Sequence, residues 1–312
     1  MQHSMQAAAQ AESAASWQVT RELTLVSDLD SSPPRGVANE PALSIVVLAF
    51  QEEGRIGRSL IELSAHLTRT GRSDVEVLVV AASRPDGSSD RTGEIVEGKR
   101  PLFEDLRVIR PGVQAGKGRD ARVGMLTARG AVRVFMDADL ATPLHHLDTA
   151  LHLVGTGHQT VIGVRDLTSS HRGFRKIISS LGNLLVQAVL LPGVPDTQCG
   201  FKLFSAAAAE SIFSRQTIDG WGFDMEVLTI ARRLGFGITT LPIPDWVDVA
   251  GGTFETAPLR GSLRTLQDLL AIKWRELNGR YGAGQRAPAV VAAPTGWTPD
   301  PLMRENLATR TG

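Results

Sequence analysis

Short apolar runs rich in β-branched residues, alternating with segments of helical periodicity, limit what this chain can fold into more than any other feature. Leu43-Ser-Ile-Val-Val-Leu-Ala49, Val75-Glu-Val-Leu-Val-Val80, Leu106 to Ile109 and Val132-Arg-Val-Phe-Met136 read as strands buried on both faces. Between them lie helical patterns at Ile56 to Leu67, near Asp90 to Glu97 and at Arg119 to Ala128. In the first of these, the apolar positions 56, 60, 63 and 67 recur every three or four residues. The alternation predicts a βαβ series and therefore an α/β fold with an open, mostly parallel sheet flanked by helices. In such sheets ligands bind beyond the carboxyl ends of the strands. The loops after Ala49, Val80 and Met136 are where chemistry is expected.

The ends of the chain read differently. Residues 1–40 hold few large apolar groups and finish near Ser-Ser-Pro-Pro-Arg-Gly, a composition that cannot bury a core; they are expected to form a flexible arm. Residues 282–312, with Ala-Pro-Ala-Val-Val-Ala-Ala-Pro, are expected to form a flexible tail, which leaves one domain at 41–281. Lys plus Arg balance Asp plus Glu at 33 each, so electrostatics give no reason to expect nucleic acid as a partner. Cys199 is the single cysteine; no intramolecular disulfide can form, and a reducing, cytoplasmic location is expected. No run approaches the ~18 consecutive apolar residues of a membrane span, and the N-terminus has no secretory pattern. Two apolar, helix-like segments, Ile177 to Leu191 and Leu263 to Tyr281, suit either peripheral membrane contact or packing on the sheet.

The strand ending at Met136 runs directly into Asp137-Ala138-Asp139. Alternate residues of an extended segment point the same way, so both carboxylates can address one ligand. A hard cation such as Mg²⁺ or Mn²⁺ takes one or two carboxylates together with phosphate oxygens. An ordinary surface loop is the competing reading of the tripeptide alone. Asp86-Gly87-Ser88 offers a turn, with Ser89 or Asp90 able to cap the next helix. Gln51-Glu52-Glu53 reads as a helix start or as part of a site, and Gly116-Lys117-Gly118 as a phosphate-binding turn or a plain surface turn.

Taken together, Ala49-Phe-Gln-Glu-Glu53, Asp86-Gly-Ser-Ser-Asp90, Gly116-Lys-Gly118 and Asp137-Ala-Asp139 occur in the order found in family 2 inverting glycosyltransferases. Asp196-Thr-Gln-Cys-Gly-Phe-Lys-Leu-Phe204 and Trp221-Gly-Phe-Asp-Met-Glu226 resemble the dolichyl- and polyprenyl-phosphate glucosyltransferases and their bacterial relatives. The resemblance spans about residues 43–250. It implies a GT-A fold, which is Rossmann-like, with a nucleotide-sugar donor and Mg²⁺ or Mn²⁺ as cofactor. Carried over by position, Asp139 with Asp137 would hold the metal, while Phe50, Glu52, Asp86, Lys117 and Asp137 would bind the nucleotide sugar. Asp224, with Asp196 as second candidate, would be the catalytic base. Arg165, Arg175, Ser179 and Trp221 would hold the acceptor, since an arginine fork matches phosphate oxygens.

One departure bears on the donor. The family's nucleotide loop reads as two adjacent aspartates before Gly-Ser, and here Pro85 stands where the first would be. UDP- and GDP-sugars therefore both remain open. The acceptor reading is a lipid phosphate, with a small-molecule hydroxyl or thiol as the alternative and a non-catalytic nucleotide-binding module as the third. Homo-oligomer formation is open.

Overall fold

The computed structural model describes residues 40–165, 182, 184–247, 258–282 and 290–293. The two proposed arms fall almost entirely outside them, as do Arg175 and Ser179. The first half alternates as expected: β1 (Leu43–Leu48), α1 (Ile56–Arg69), β2 (Val75–Val80), α2 (Thr92–Glu97), β3 (Asp105–Ile109), α3 (Lys117–Thr127) and β4 (Val132–Asp137). Then follow α4 (His145–Gly155), β5 (Thr160–Arg165), β6 (Phe201–Ser205), α5 (Ala206–Phe213), α6 (Phe223–Arg233), β7 (Ile238–Ile243), α7 (Pro258–Leu277) and β8 (Val291–Ala292).

The strands form one eight-stranded sheet in the order β3-β2-β1-β4-β6-β5-β7-β8. Every residue of β1 is buried, which explains why its sequence shows no polar alternation. One face of the sheet carries Val46, Leu78, Val80 and Phe135 towards α3, α5 and α6. The other carries Ile45, Val47, Val77, Val79 and Val134 towards α1 and α4. The parallel register sets Leu48 beside Val80 on one side and Asp137 on the other, and Val80 beside Ile109. Four strands thus end level, and their loops open at one edge.

β6 is the exception to the parallel run. It pairs antiparallel with both β4 and β5, with Met136 opposite Phe201. Its amino end, and not its carboxyl end, therefore reaches the edge where Asp137 emerges. That reversal brings the Asp196 to Gly200 stretch to the same edge as the Asp137-Ala-Asp139 turn. Arg165 ends β5 there too, because β5 runs antiparallel to β6 and therefore in the same direction as β4.

Of the two apolar helical segments, residues 184–189 are helical, with Val186, Leu190 and Leu191 buried and Leu184 and Leu185 exposed. Helix α7 buries Leu269 and Ile272 against the core and exposes Leu266, Leu270, Trp274 and Leu277. Helix α7 thus packs on the core through one face and leaves an apolar stripe of the other exposed. Among the described residues no helix is long and apolar enough to cross a membrane.

Candidate active site

The site begins where β4 stops. Asp139 Oδ1 accepts from the Ala141 amide at 3.1 Å, which closes the chain into a turn directly after the strand. Leu140 inside that turn has φ +52°, a left-handed conformation that costs a non-glycine residue energy and recurs at functional turns. Gln51, after β1, has φ +58°. These two bends lie at the ends of adjacent strands and turn Glu52 and Asp139 towards one region. Burial raises the Glu52 pKa above the usual carboxylate range; Arg55, at 2.7 Å from it, opposes the shift, and the charges of Asp139 and Asp137 add to it. Burial, then the Asp137 charge, likewise raises the pKa of Asp139. Three carboxyl groups from two loops share one field.

Lys117 supplies the opposing charge. Its Nζ lies 2.6 Å from Asp137 Oδ1 and 5.1 Å from the centre of the Trp221 ring. Burial pulls its pKa down, but the charges of Asp137 and Asp224 outweigh that and hold it above its ordinary value, so it stays cationic. Its flanking glycines have steric reasons. A Cβ on Gly116 (φ +145°) would stand 2.2 Å from the Asp219 carbonyl oxygen. One on Gly118 would stand 2.4 Å from the Ile218 carbonyl oxygen and 2.6 Å from Phe223 Cβ. Gly118 and Arg119 donate their amides to the Asp219 carbonyl at 2.8 and 3.2 Å. The turn is therefore a docking surface for the 216–220 segment as well as a mount for the lysine.

Glu226 holds that segment from behind. Its fully buried carboxylate accepts from Thr217 N at 2.9 Å, Thr217 Oγ1 at 2.6 Å, Ile218 N at 2.7 Å and Tyr281 Oη at 2.8 Å. Gln216 Nε2 adds bonds to the carbonyls of Gly118 and Ile218 at 2.8 and 2.9 Å.

Asp224, in the first turn of α6, is buried, and its Oδ1 receives Lys202 Nζ at 2.5 Å. Lys202 also donates to the Cys199 carbonyl at 2.5 Å and stands 5.3 Å from the centre of the Phe135 ring. Burial raises Asp224 above the usual carboxylate range against the pull of Lys202 and Lys117, which makes it a stronger base than a surface aspartate.

Other candidates are committed elsewhere. Both Asp196 oxygens are engaged by Arg165, Nε at 2.7 Å and Nη2 at 3.0 Å, with the amides of Arg165 and Gln198 at 3.2 and 3.1 Å. With four donors on a carboxylate that is 4% exposed, Asp196 is a clamp for the β5 end in this state and has little capacity left to accept a proton. Arg165 correspondingly spends its fork on Asp196 and packs over Trp246 at 5.2 Å, instead of presenting a free guanidinium to an acceptor. Asp86 is exposed and takes bonds from the amide and hydroxyl of Ser88 within its own turn, at 2.9 and 2.7 Å; these hold its pKa low. Phe50 is half-buried beside Gln51.

Four positions were not singled out from sequence. Thr92 Oγ1 accepts from the Glu52 amide at 2.9 Å and ties α2 to the β1 loop. Trp246 and Gly200 line a recess with Met136, Asp137, Leu140, Ala141 and Thr142. Arg110 borders a cleft of about 190 Å³ with Ala81, Ala82, Ser89, Asp90, Thr92, Gly93 and Glu94, directly beyond the ends of β2 and β3. Only Gly200 carried a signal in the sequence, since it lies inside the Asp196 to Phe204 run.

Gly200 has a strict requirement. A Cβ there would come within 1.9 Å of Asp137 Oδ2, so any side chain must displace the carboxylate that Lys117 holds. Gly200→Ala is expected to lower kcat/KM about a hundredfold, the usual consequence of misplacing a reacting group by an ångström. Its thermal transition should move much less than its activity. A transfer assay run beside a melting curve checks both, and undiminished turnover would refute the importance of the Asp137 position.

Comparison with known proteins identifies the family. A sequence profile described as Glycosyl transferase family 2 covers residues 44–213. The chain belongs to glycosyl transferase family 2. Among similar family members is the dolichyl-phosphate beta-glucosyltransferase ALG5A of Trichomonas vaginalis, 32% identical over 237 residues, covering 74% of this chain and 72% of that protein. The dolichyl-phosphate beta-glucosyltransferase of Drosophila melanogaster is 32% identical over 256 residues, covering 77% and 76%. That of Homo sapiens is 30% identical over 256 residues, covering 77% of each. The fold is GT-A: mannosyl-3-phosphoglycerate synthase from Rubrobacter xylanophilus superposes with a TM-score of 0.51 at 17% identity, over 76% of this chain and 74% of that one. This family 2 member is a glycosyltransferase enzyme.

Proposed function

We propose that the enzyme moves a hexose, glucose on the likeness to its relatives, from a nucleoside-diphosphate donor to a polyprenyl phosphate. The observation that carries this reading is the convergence of Glu52, Lys117, Asp137 and Asp139 beyond the ends of β1 and β4, with Glu52 tied through Thr92 to the cleft at the ends of β2 and β3. In this reading the cleft takes the nucleoside, and the carboxylates and lysine face its diphosphate. Asp139 and Asp137 suit a divalent cation: both are carboxylates, Asp139 is partly buried, and burial and the Asp137 charge raise the Asp139 pKa, a cost that a cation would offset. Held there, Mg²⁺ or Mn²⁺ would act as a Lewis acid towards the departing diphosphate.

The protein's own groups do the rest. Lys117, kept cationic by its neighbours, places a second positive charge where negative charge grows on the leaving group. Trp221, half-exposed over that lysine, offers an apolar wall to a sugar ring. An acceptor phosphate is anionic at neutral pH and attacks without a base; a hydroxyl would need one, and in this reading that role falls to Asp224, whose burial raises its pKa. Single displacement with inversion fits one nucleophile and one leaving group. The exposed stripe Leu266, Leu270, Trp274 and Leu277 on α7 recurs at intervals of four and three residues, as does a helix face lying against lipid. That supports peripheral contact with the membrane in which a polyprenyl acceptor resides.

The test has two stages. Calorimetric titration with UDP, GDP, dTDP, ADP and CDP, each with and without Mn²⁺, identifies the nucleotide. Transfer of labelled glucose from the preferred donor to a short polyprenyl phosphate then identifies the acceptor. Asp224→Asn should leave that transfer within about an order of magnitude of the parent, whereas transfer to a hydroxyl would fall by about 10²-fold or more. Failure of every nucleotide to bind would overturn the proposal.

A further inference from the structure

The acid pair after β4 does not account for another cluster nearby. His145 and His146 open α4, and Asp245 follows β7. Asp245 Oδ1 lies 2.5 Å from His146 Nε2, and its Oδ2 lies 3.3 Å from His145 Nε2. The three ligand atoms are within 4.8 Å of one another, the single group of three or more His, Cys, Asp or Glu side chains gathered this closely among the described residues. The two imidazole centroids are 4.1 Å apart, so both rings present Nε2 to the same carboxylate.

We propose that His145, His146 and Asp245 bind a transition-metal ion of the Zn²⁺ class at a site separate from Asp137 and Asp139. Zn–N and Zn–O distances near 2.0–2.1 Å place neighbouring tetrahedral ligands about 3.3 Å apart. The observed separations need shifts of about an ångström to meet that geometry, within reach of exposed side chains. Two imidazoles and one carboxylate suit Zn²⁺, Ni²⁺ or Cu²⁺, whereas Mg²⁺ prefers oxygen and retains its water. Solvent access is built in: the His145 and Asp245 side chains are 60% and 47% exposed, while His146, at 10%, gives the site a fixed anchor. The fourth ligand would be water.

The position gives the ion something to do. His145 and His146 follow the turn that carries Asp139, and Asp245 precedes Trp246, which packs under Arg165. These two stretches already meet where Val247 N donates to the Ala141 carbonyl at 3.0 Å. Ala141, Thr142 and Trp246 line the recess at Asp137. An ion bridging α4 to the end of β7 therefore staples the wall of that recess. The assignment does not depend on which sugar or acceptor the enzyme uses.

Titration of the chelator-treated full chain with ZnCl₂, in excess MgCl₂, tests it. One Zn²⁺ per chain is expected, with affinity reduced on the order of tenfold or more in His145→Ala and in Asp245→Asn. His145→Ala removes an exposed ring, so its melting temperature in chelator should match the parent, while the Zn²⁺-induced rise in melting temperature should shrink. Asp139→Ala should bind Zn²⁺ as the parent does. Unchanged Zn²⁺ affinity in His145→Ala and Asp245→Asn overturns the site, as does loss of binding in Asp139→Ala in their place, or no Zn²⁺ binding at all.

Discussion

Asp139→Ala is expected to lose about a thousandfold in kcat, on the order of 4 kcal/mol of transition-state stabilisation. The carboxylate makes one hydrogen bond, to the Ala141 amide, and no ion pair is formed by it among the described residues, so little of the fold hangs on it. Circular dichroism and the melting temperature should be close to those of the parent. Nucleotide binding should persist but lose its dependence on Mn²⁺, because Lys117 and the cleft beyond β2 and β3 are untouched. A variant that keeps its turnover, or one that binds nucleotide as tightly with metal as the parent does, removes Asp139 from the role assigned to it.

Lys202→Met is expected to show the largest effect on stability, a loss of about 3–5 kcal/mol in urea denaturation. The reasoning is electrostatic. Lys202 and Asp224 are 0% and 2% exposed, and removing Lys202 takes away the cation that Asp224 bonds in the core, leaving Lys117 as the other positive charge that acts on it. Pairing the change with Asp224→Leu should restore most of the loss, since an apolar pair of similar volume does not need to be desolvated as ions. The double variant separates two roles of Asp224. If it folds and still transfers to a phosphate acceptor, Asp224 serves the fold in that reaction; if it folds and is inert, Asp224 acts on substrate. Recovery of no stability in the double variant would contradict the account of the pair.

The parallel half of the sheet was legible because its strands are buried on both faces, and a fully buried strand prints a continuous apolar run. The position of Asp137 and Asp139 at the end of β4 was legible because the acids abut such a run. The Lys202–Asp224 pair was not. In Phe201-Lys-Leu-Phe204 the lysine has the look of a residue on a solvated face, yet β6 lies between β4 and β5 with both faces covered. Its partner is 22 residues away, and nothing in local periodicity connects them. The same holds for Arg165 and Asp196, 31 residues apart: chemistry identified each as a polar group worth attention, but only the antiparallel turn of β6 makes them each other's partner. His145, His146 and Asp245 were overlooked for that reason too, since Asp245 lies 99 positions beyond His146.

The carboxylate of Glu226 has a mechanical meaning. It joins the backbone at 217–218, the helix on which it sits and the tyrosine just past α7. The segment it holds is in turn seated on the two glycines that flank Lys117. The outward apolar stripe of α7 and the Lys117 cation are thereby parts of one gauge block. Were that stripe to rest on a membrane, as proposed, the height of Lys117 above it would already be set, and an acceptor anchored there would meet the proposed donor at a distance determined by the interior of the protein.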